Sequence, residues 1–173
     1  KDFRILEDGK VQPIEVFESQ DKLTSSFGIL VDNSGSSGAI LRSVRSGVPE
    51  FLRTSGPADD VFVMSFSTGV RIIHDFGDDF LRISEALNNL RPFGTSILFD
   101  ALLSGIRKVQ QTPHDRQVLI VLTDGNDNRS DRSYSEVIRT AESNMVLLYF
   151  IGIGPGILVD SYTLEGLASK SGG

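Results

Sequence analysis

The chain of 173 residues contains no cysteine, which excludes disulfide bonds, thiolate metal sites and cysteine nucleophiles. It has no stretch near the ~18 consecutive apolar residues of a membrane-spanning helix. Nothing at its beginning reads as a signal peptide, although a targeting segment could precede Lys1. Lys and Arg number 17 against 23 Asp and Glu, they form no cluster, and the formal net charge is −6. We therefore expect neither nucleic-acid binding nor direct contact with an anionic membrane.

Two nucleotide-binding motifs are also missing. No G-x-x-x-x-G-K-[S/T] phosphate loop is present. The glycine-rich segment 152–156 follows an apolar run, but Ile157 stands where a dinucleotide fingerprint requires its third glycine, so we interpret the segment as a turn. His74 and His114 have no nucleophile evident beside them, and the acid pairs at 59–60 and 78–79 resemble helix caps and solvated charge. We predict structural roles for all of these.

Apolar runs and helical patterns alternate along the chain, and 39% hydrophobic content is enough for one substantial core. This alternation predicts an α/β fold, Rossmann-like and doubly wound, with a mainly parallel sheet, one antiparallel edge strand at 70–76 and helices on both faces. An Asp-Gly pair at 8–9 predicts an N-terminal β-hairpin, followed by a polar linker over 18–26. The remaining strands are predicted at 27–31, 60–66, 117–123 and 146–152, and the helices at 37–54, 79–90, 97–110, 133–144 and 161–169. Pro49 predicts a kink or a break in the first helix.

Small oxygen donors follow two of the apolar runs. Asp32, Ser34 and Ser36 come after 27–31, and Asp124 comes after 118–122. Thr95 lies in a glycine turn just before a helical pattern. Open α/β sheets place ligands at the carboxyl ends of their strands, and hard oxygen donors suit Mg²⁺ or Mn²⁺. Taken singly, each motif is an ordinary cap or turn, so the prediction of a metal site depends on their coincidence in this order.

These five residues, in this order, resemble the metal-ion-dependent adhesion site of von Willebrand factor type A (VWA) domains. The resemblance covers 27–173, and it implies a VWA domain there that lacks the family's last strand, with the hairpin and linker at 1–26. A narrower resemblance links the segment 2–17 to the lead-in of VWFA-related domains abundant in Acidobacteria.

The resemblance also implies a function. Ser34, Ser36 and Thr95 would coordinate Mg²⁺ or Mn²⁺ directly, while Asp32 and Asp124 would act through ordered waters. One open coordination position would accept an Asp or Glu carboxylate from a partner protein. This describes a non-enzymatic, extracytoplasmic module for adhesion or complex assembly. Its specificity would come from rim residues, for which the candidates are Asn33, Ser37, Gly38, Phe93, Ser96, Asn126 and the loop 127–133.

Two other functions stay open. A metal-assisted hydrolase or phosphatase would use Asp32 as nucleophile or Mg²⁺ ligand, but it would want an acid or base where Ser34 stands. A scaffold domain would use no metal at all. We expect Asp32→Ala to abolish Mg²⁺-dependent partner binding and to leave the fold intact, on the assumption that Asp32 is an exposed loop ligand. We expect Thr95→Ala to weaken ligand binding.

Overall fold

The computed structural model describes residues 3–15, 24–54, 56, 59–76, 80–156 and 159–173. Most of the predicted linker, residues 18–23, lies outside this range, as do Asp78 and Asp79. The described strands and helices alternate in the predicted order. They are β1 Ile5–Glu7, β2 Lys10–Gln12, β3 Ser25–Asp32, α1 Gly38–Thr54, β4 Asp60–Phe66, β5 Val70–His74, α2 Phe80–Asn89, α3 Leu98–Val109, β6 Arg116–Thr123, α4 Tyr134–Ser143, β7 Val146–Gly152 and α5 Ser161–Ser171.

The main sheet has the strand order β5-β4-β3-β6-β7. β3 pairs in parallel with β4 and β6, and β6 pairs in parallel with β7, whereas β5 runs antiparallel to β4 at the edge. β1 and β2 form a separate antiparallel hairpin. Its turn residues Asp8 and Gly9 have φ of 49° and 77°, the positive values that a tight two-residue hairpin turn requires. The α/β fold, the antiparallel edge strand and the hairpin are therefore confirmed.

Helices bury apolar side chains on both faces of the main sheet. On one face, α3, α4 and α5 pack over the sheet through Leu102, Val137 and Leu167. On the other, α1 and α2 bury Val44 and Leu87 against β3 and β4. Because the central strand β3 is covered on both sides, its run of buried residues leads directly to the carboxyl edge where the candidate site lies.

Helix α1 differs from the prediction, because it continues through Pro49 to Thr54. The predicted break is wrong. Val48 and Leu52, on either side of Pro49, are buried at 4% and 1% exposure, and their packing holds the last turns in the helix. Proline removes one backbone hydrogen bond, and tertiary packing of an apolar face outweighs that loss here.

None of the described helices combines the length and the apolar character needed to cross a membrane.

Candidate metal centre

The fold brings the five predicted site residues to one edge of the sheet. Asp32 is the last residue of β3, and Asp124 directly follows β6, its parallel neighbour. Ser36 Oγ donates a 2.8 Å hydrogen bond to Asp124 Oδ2, and Ser34 Oγ lies 3.4 Å from Ser36 Oγ. The Thr95 loop joins them, because the amide of residue 35 donates to the carbonyl oxygen of residue 94 at 3.0 Å. Two carboxylates and three hydroxyls thus share one edge.

Asp32 is fully buried at this edge. Its Oδ1 accepts a 2.8 Å bond from the Ser34 amide, and its Oδ2 accepts bonds from Thr123 Oγ1 at 2.8 Å and Ser96 Oγ at 3.5 Å. Burial raises the pKa of Asp32, the bonds from Ser34 and Thr123 lower it in part, and the charge of Asp124 raises it further. Burial therefore makes the charge of Asp32 more costly than it is in water, and a nearby cation would offset that cost.

These contacts change the expectation for Asp32→Ala. Asp32 is not an exposed loop ligand, and its carboxylate joins the first loop to β6 and to the Thr95 loop. Removing it would leave several buried donors without an acceptor, at about 1–3 kcal/mol for each unsatisfied group. The assumption of an exposed ligand is wrong. We now expect Asp32→Ala to reduce both metal binding and stability, so this variant cannot separate the two effects. Ser36 is the better position for a test, because its side chain is exposed and makes a single bond to an acidic group.

Thr95 Oγ1 is buried and has no hydrogen-bond partner within the part of the chain that the structure describes. A buried hydroxyl without a partner is costly, and such groups in native proteins call for an explanation. The preceding Gly94 has φ of 71°, and a Cβ there would lie 2.5 Å from Thr68 Cγ2, so only glycine fits this turn without displacing a neighbour. The tight turn thus places Thr95 in the loop that is hydrogen-bonded to residue 35, between Ser34 and Ser36 in the chain. Hydroxyl and carboxylate oxygens together fit a small hard cation.

The loop after Asp124 is fixed by its own acidic residue. Asp127 accepts hydrogen bonds from the Phe99 amide at 3.2 Å, at the start of α3, and from Ser130 Oγ at 2.5 Å. The amides of Asn128 and Arg129 donate to the Ser96 carbonyl. Asp127 therefore positions the loop beside the site, a role that its placement among the rim candidates did not anticipate.

Two other predicted rim residues are not on the rim. Ser37 and Ser96 are buried at 0% and 2% exposure, because Ser37 lies at the start of α1 and Ser96 lies behind Asp32. Phe93, in contrast, is 66% exposed. Thr123 is a site residue that the sequence analysis missed. Its Oγ1 donates to Asp32 and accepts from the Gly125 amide at 3.1 Å. Its place directly before Asp124 was the available signal.

The histidines lie away from this edge. His114 bonds Thr24 through Nδ1 at 2.7 Å and Asp60 Oδ2 through Nε2 at 2.8 Å. Asp60 begins β4, so this cluster lies at the opposite end of the sheet, where Asp59 also accepts the Ser25 amide. His74 lies on the edge strand β5. Within the described ranges, no three His, Cys, Asp or Glu side chains form a group that could hold a metal, so the candidate site depends on hydroxyls as well as carboxylates.

The family model for the von Willebrand factor type A domain matches residues 28–173. Three solved structures show the same fold. The Mfa5 pilus tip protein of Porphyromonas gingivalis is 16% identical over 61% of this chain and 20% of its own, with a TM-score of 0.56. The PilB minor pilin of Streptococcus sanguinis is 16% identical over 93% of this chain and 56% of its own, with a TM-score of 0.67. The manganese-loaded TRAP protein of Plasmodium vivax is 18% identical over 84% of this chain and 63% of its own, with a TM-score of 0.64.

The chain thus spans less than two thirds of each of these three proteins. No curated protein sequence matches it significantly. At these identities the likeness establishes the fold, and the chemistry of the site must be argued from the residues of this chain.

Proposed function

Because this chain belongs to the von Willebrand factor type A family, we propose that it is a divalent-metal-dependent module that binds a partner protein through an Asp or Glu carboxylate. Domains of this family are typically adhesion or protein-interaction modules. The metal is Mg²⁺ or Mn²⁺, the ions that oxygen ligands of this kind suit. Ser34, Ser36 and Thr95 would hold it directly, and Asp32 and Asp124 would support it through ordered waters. The bound ion supplies an electrophilic centre for a partner carboxylate.

The Thr95 hydroxyl is the observation that carries this proposal. It is buried and has no partner among the described residues, and its loop is hydrogen-bonded to the loop that carries Ser34 and Ser36. A bound cation would satisfy Thr95 Oγ1 and compensate the charge that burial disfavours on Asp32. Divalent metal binding is a frequent trait of the family, and one structural neighbour is a manganese-loaded protein.

We place the protein outside the cytoplasm, and two structural neighbours, a pilus tip protein and a minor pilin, support that placement. A role in adhesion or assembly without catalysis fits the site. Hydrolysis by Asp32 would require an acid or base beside it, and both described histidines lie elsewhere. A scaffold that uses no metal would leave the Thr95 hydroxyl unexplained.

Thermal unfolding of the wild type and Ser36→Ala in EDTA and in millimolar Mg²⁺ tests the metal site. A ligand that binds the native state alone raises stability by RT ln(1 + [L]/Kd). We expect Mg²⁺ to raise the Tm of the wild type and to raise that of Ser36→Ala less. Ser46→Ala is the matched control, because Ser46 is an exposed serine on α1 that bonds only the Ser43 carbonyl. An equal Mg²⁺ shift in all three proteins would refute the site.

The carboxylate is tested with a glycine-serine peptide that carries one aspartate, compared with the same peptide carrying asparagine. In Mg²⁺ we expect the aspartate peptide to shift amide resonances of residues 33–37 and 94–96, and the asparagine peptide to leave them unchanged. In EDTA neither peptide should shift these resonances. Equal shifts by the two peptides would contradict recognition of a carboxylate through the metal.

A further inference from the structure

A polar groove lies beside the candidate metal centre, and two arginines line it. We call it the arginine groove. It has a volume of about 350 Å³, and its lining includes Asn33, Ser67, Arg71, Asn89, Arg91 and Phe93. None of the described residues that line it is acidic. In a chain with a net charge of −6, this is a local excess of positive charge.

The groove is continuous with the loop that carries Ser34 and Ser36. Asn33 belongs to both, and its amide donates to the Phe66 carbonyl at 2.9 Å. Its carbonyl accepts the Phe93 amide at 2.8 Å, and its Nδ2 donates to the Arg91 carbonyl at 3.3 Å. These three bonds hold the Asn33 wall of the groove in place beside Ser34 and Ser36. A partner segment that reaches the metal therefore passes next to the groove.

Neither arginine is neutralised by a carboxylate of the described residues, and Arg91 is held in place by the backbone. Arg91 Nη1 donates to the backbone carbonyls of Asn88 at 2.7 Å and Leu90 at 2.9 Å. Arg71 lies on β5 opposite Ser65 and is exposed. Within the part of the chain that the structure describes, neither guanidinium forms an ion pair with a carboxylate. Both keep N–H donors free for an anion, and a guanidinium matches the planar geometry of a carboxylate.

We propose that the arginine groove binds a second carboxylate of the partner segment whose first Asp or Glu reaches the metal. The partner thus presents a segment with several acidic residues. The amides and hydroxyls of the groove also supply donors to an acceptor-rich ligand. This inference rests on the proposed function, since it requires a first carboxylate at the metal.

The test compares two labelled peptides in millimolar Mg²⁺, hexa-aspartate and the glycine-serine peptide with one aspartate. Binding to the wild type and to the double variant Arg71→Gln/Arg91→Gln is measured by titration. Glutamine keeps a polar side chain of similar reach and removes the charge. Arg139→Gln is the matched control, because Arg139 is an exposed arginine on α4. An exposed charge pair changes affinity by about two- to fivefold, so two independent pairs change it by about 4- to 25-fold.

We expect the double variant to lose about 4- to 25-fold in affinity for hexa-aspartate, and about twofold or less for the single-aspartate peptide. Arg139→Gln should bind both peptides as the wild type does. Equal losses for the two peptides, or no loss for hexa-aspartate, would overturn the groove alone and leave the metal site standing. Failure of both peptides to bind the wild type would overturn the proposed function together with this inference. Arginine-dependent binding to phosphatidylserine vesicles, with no loss for hexa-aspartate, would assign the groove to a lipid surface and overturn the proposal.

Discussion

Replacing Thr95 with valine tests the metal centre through the sign of the stability change. The Thr95 hydroxyl is buried and none of the described residues offers it a hydrogen bond, and an unsatisfied buried polar group costs about 1–3 kcal/mol. Valine has the same shape without the hydroxyl. We therefore expect Thr95→Val to stabilise the metal-free protein by about 1 kcal/mol, which raises Tm by about 2–4 °C at this chain length.

In Mg²⁺ we expect the wild type to be more stable than Thr95→Val. At a concentration of about 100 times Kd, a ligand stabilises the native state by about 2.7 kcal/mol, and the wild type should gain this amount. The valine variant lacks one metal ligand, so its gain should be smaller. Urea unfolding in EDTA and across a Mg²⁺ titration measures both effects. The two stability curves should cross as Mg²⁺ increases.

Thr123→Val is the matched control, because the same substitution removes a hydroxyl that is fully bonded. Thr123 Oγ1 donates to Asp32 Oδ2 and accepts the Gly125 amide, so its loss leaves that buried amide unpaired and Asp32 Oδ2 with only the 3.5 Å bond from Ser96. We expect a loss of about 1–3 kcal/mol in EDTA. If Thr95→Val were destabilised in EDTA to the same extent, its hydroxyl would be an ordinary structural group. If Mg²⁺ stabilised Thr95→Val as much as it stabilises the wild type, the Thr95 hydroxyl would not be a metal ligand.

Two further predictions concern a glycine turn and an ion pair. Gly125→Ala should lose about 1–3 kcal/mol, because Gly125 has φ of 86° and a Cβ there would lie 2.9 Å from the Asp160 carbonyl oxygen. Gly47 lies in the middle of α1 with open space around it, so Gly47→Ala should raise the free energy of unfolding by about 0.5–1 kcal/mol in the same urea assay. If both variants were destabilised, the left-handed conformation of Gly125 would not explain its loss. The Lys108 ammonium lies 2.6 Å from the Asp75 carboxylate and holds the pKa of Asp75 below its usual value. The pair therefore stabilises the fold at pH values above the pKa of Asp75 in the unfolded chain. This stabilisation disappears as pH falls through the lower pKa of Asp75 in the folded protein. Asp75→Asn should therefore cost a few tenths to about 1 kcal/mol at neutral pH and progressively less as pH falls below the usual aspartate pKa. A difference independent of pH would exclude this pair as its source.

Periodicity predicted the elements of this fold well, because its strands are buried on both faces and its helices are strongly amphipathic. The run 60–66 and the run 146–152 became β4 and β7 with the predicted bounds. Local rules failed at Pro49, where the burial of Val48 and Leu52 decides the outcome. That burial depends on how α1 packs against the sheet, which no window of sequence around Pro49 contains.

The positions of the site carboxylates could be predicted from the sequence, whereas the contacts that hold them could not. Strand-end positions predicted where Asp32 and Asp124 would lie, because parallel neighbours end at a common edge. The bond from Thr123 to Asp32 depends on the register of β3 against β6, which pairs Val31 with Leu122. Sequence patterns do not fix a parallel register, so this second layer of contacts could not be predicted.

The charges of the site and of the arginine groove are coupled through the metal. Without it, Asp32 and Asp124 carry up to two negative charges beside Arg71 and Arg91, so the local charge nearly cancels and an acidic peptide gains little. A bound divalent ion neutralises the carboxylates and leaves the arginines as uncompensated positive charge. We therefore expect hexa-aspartate to bind weakly in EDTA even with both arginines present, and the effect of the double glutamine variant to be larger in Mg²⁺ than in EDTA. An equal effect in the two conditions would show that the groove acts independently of the metal.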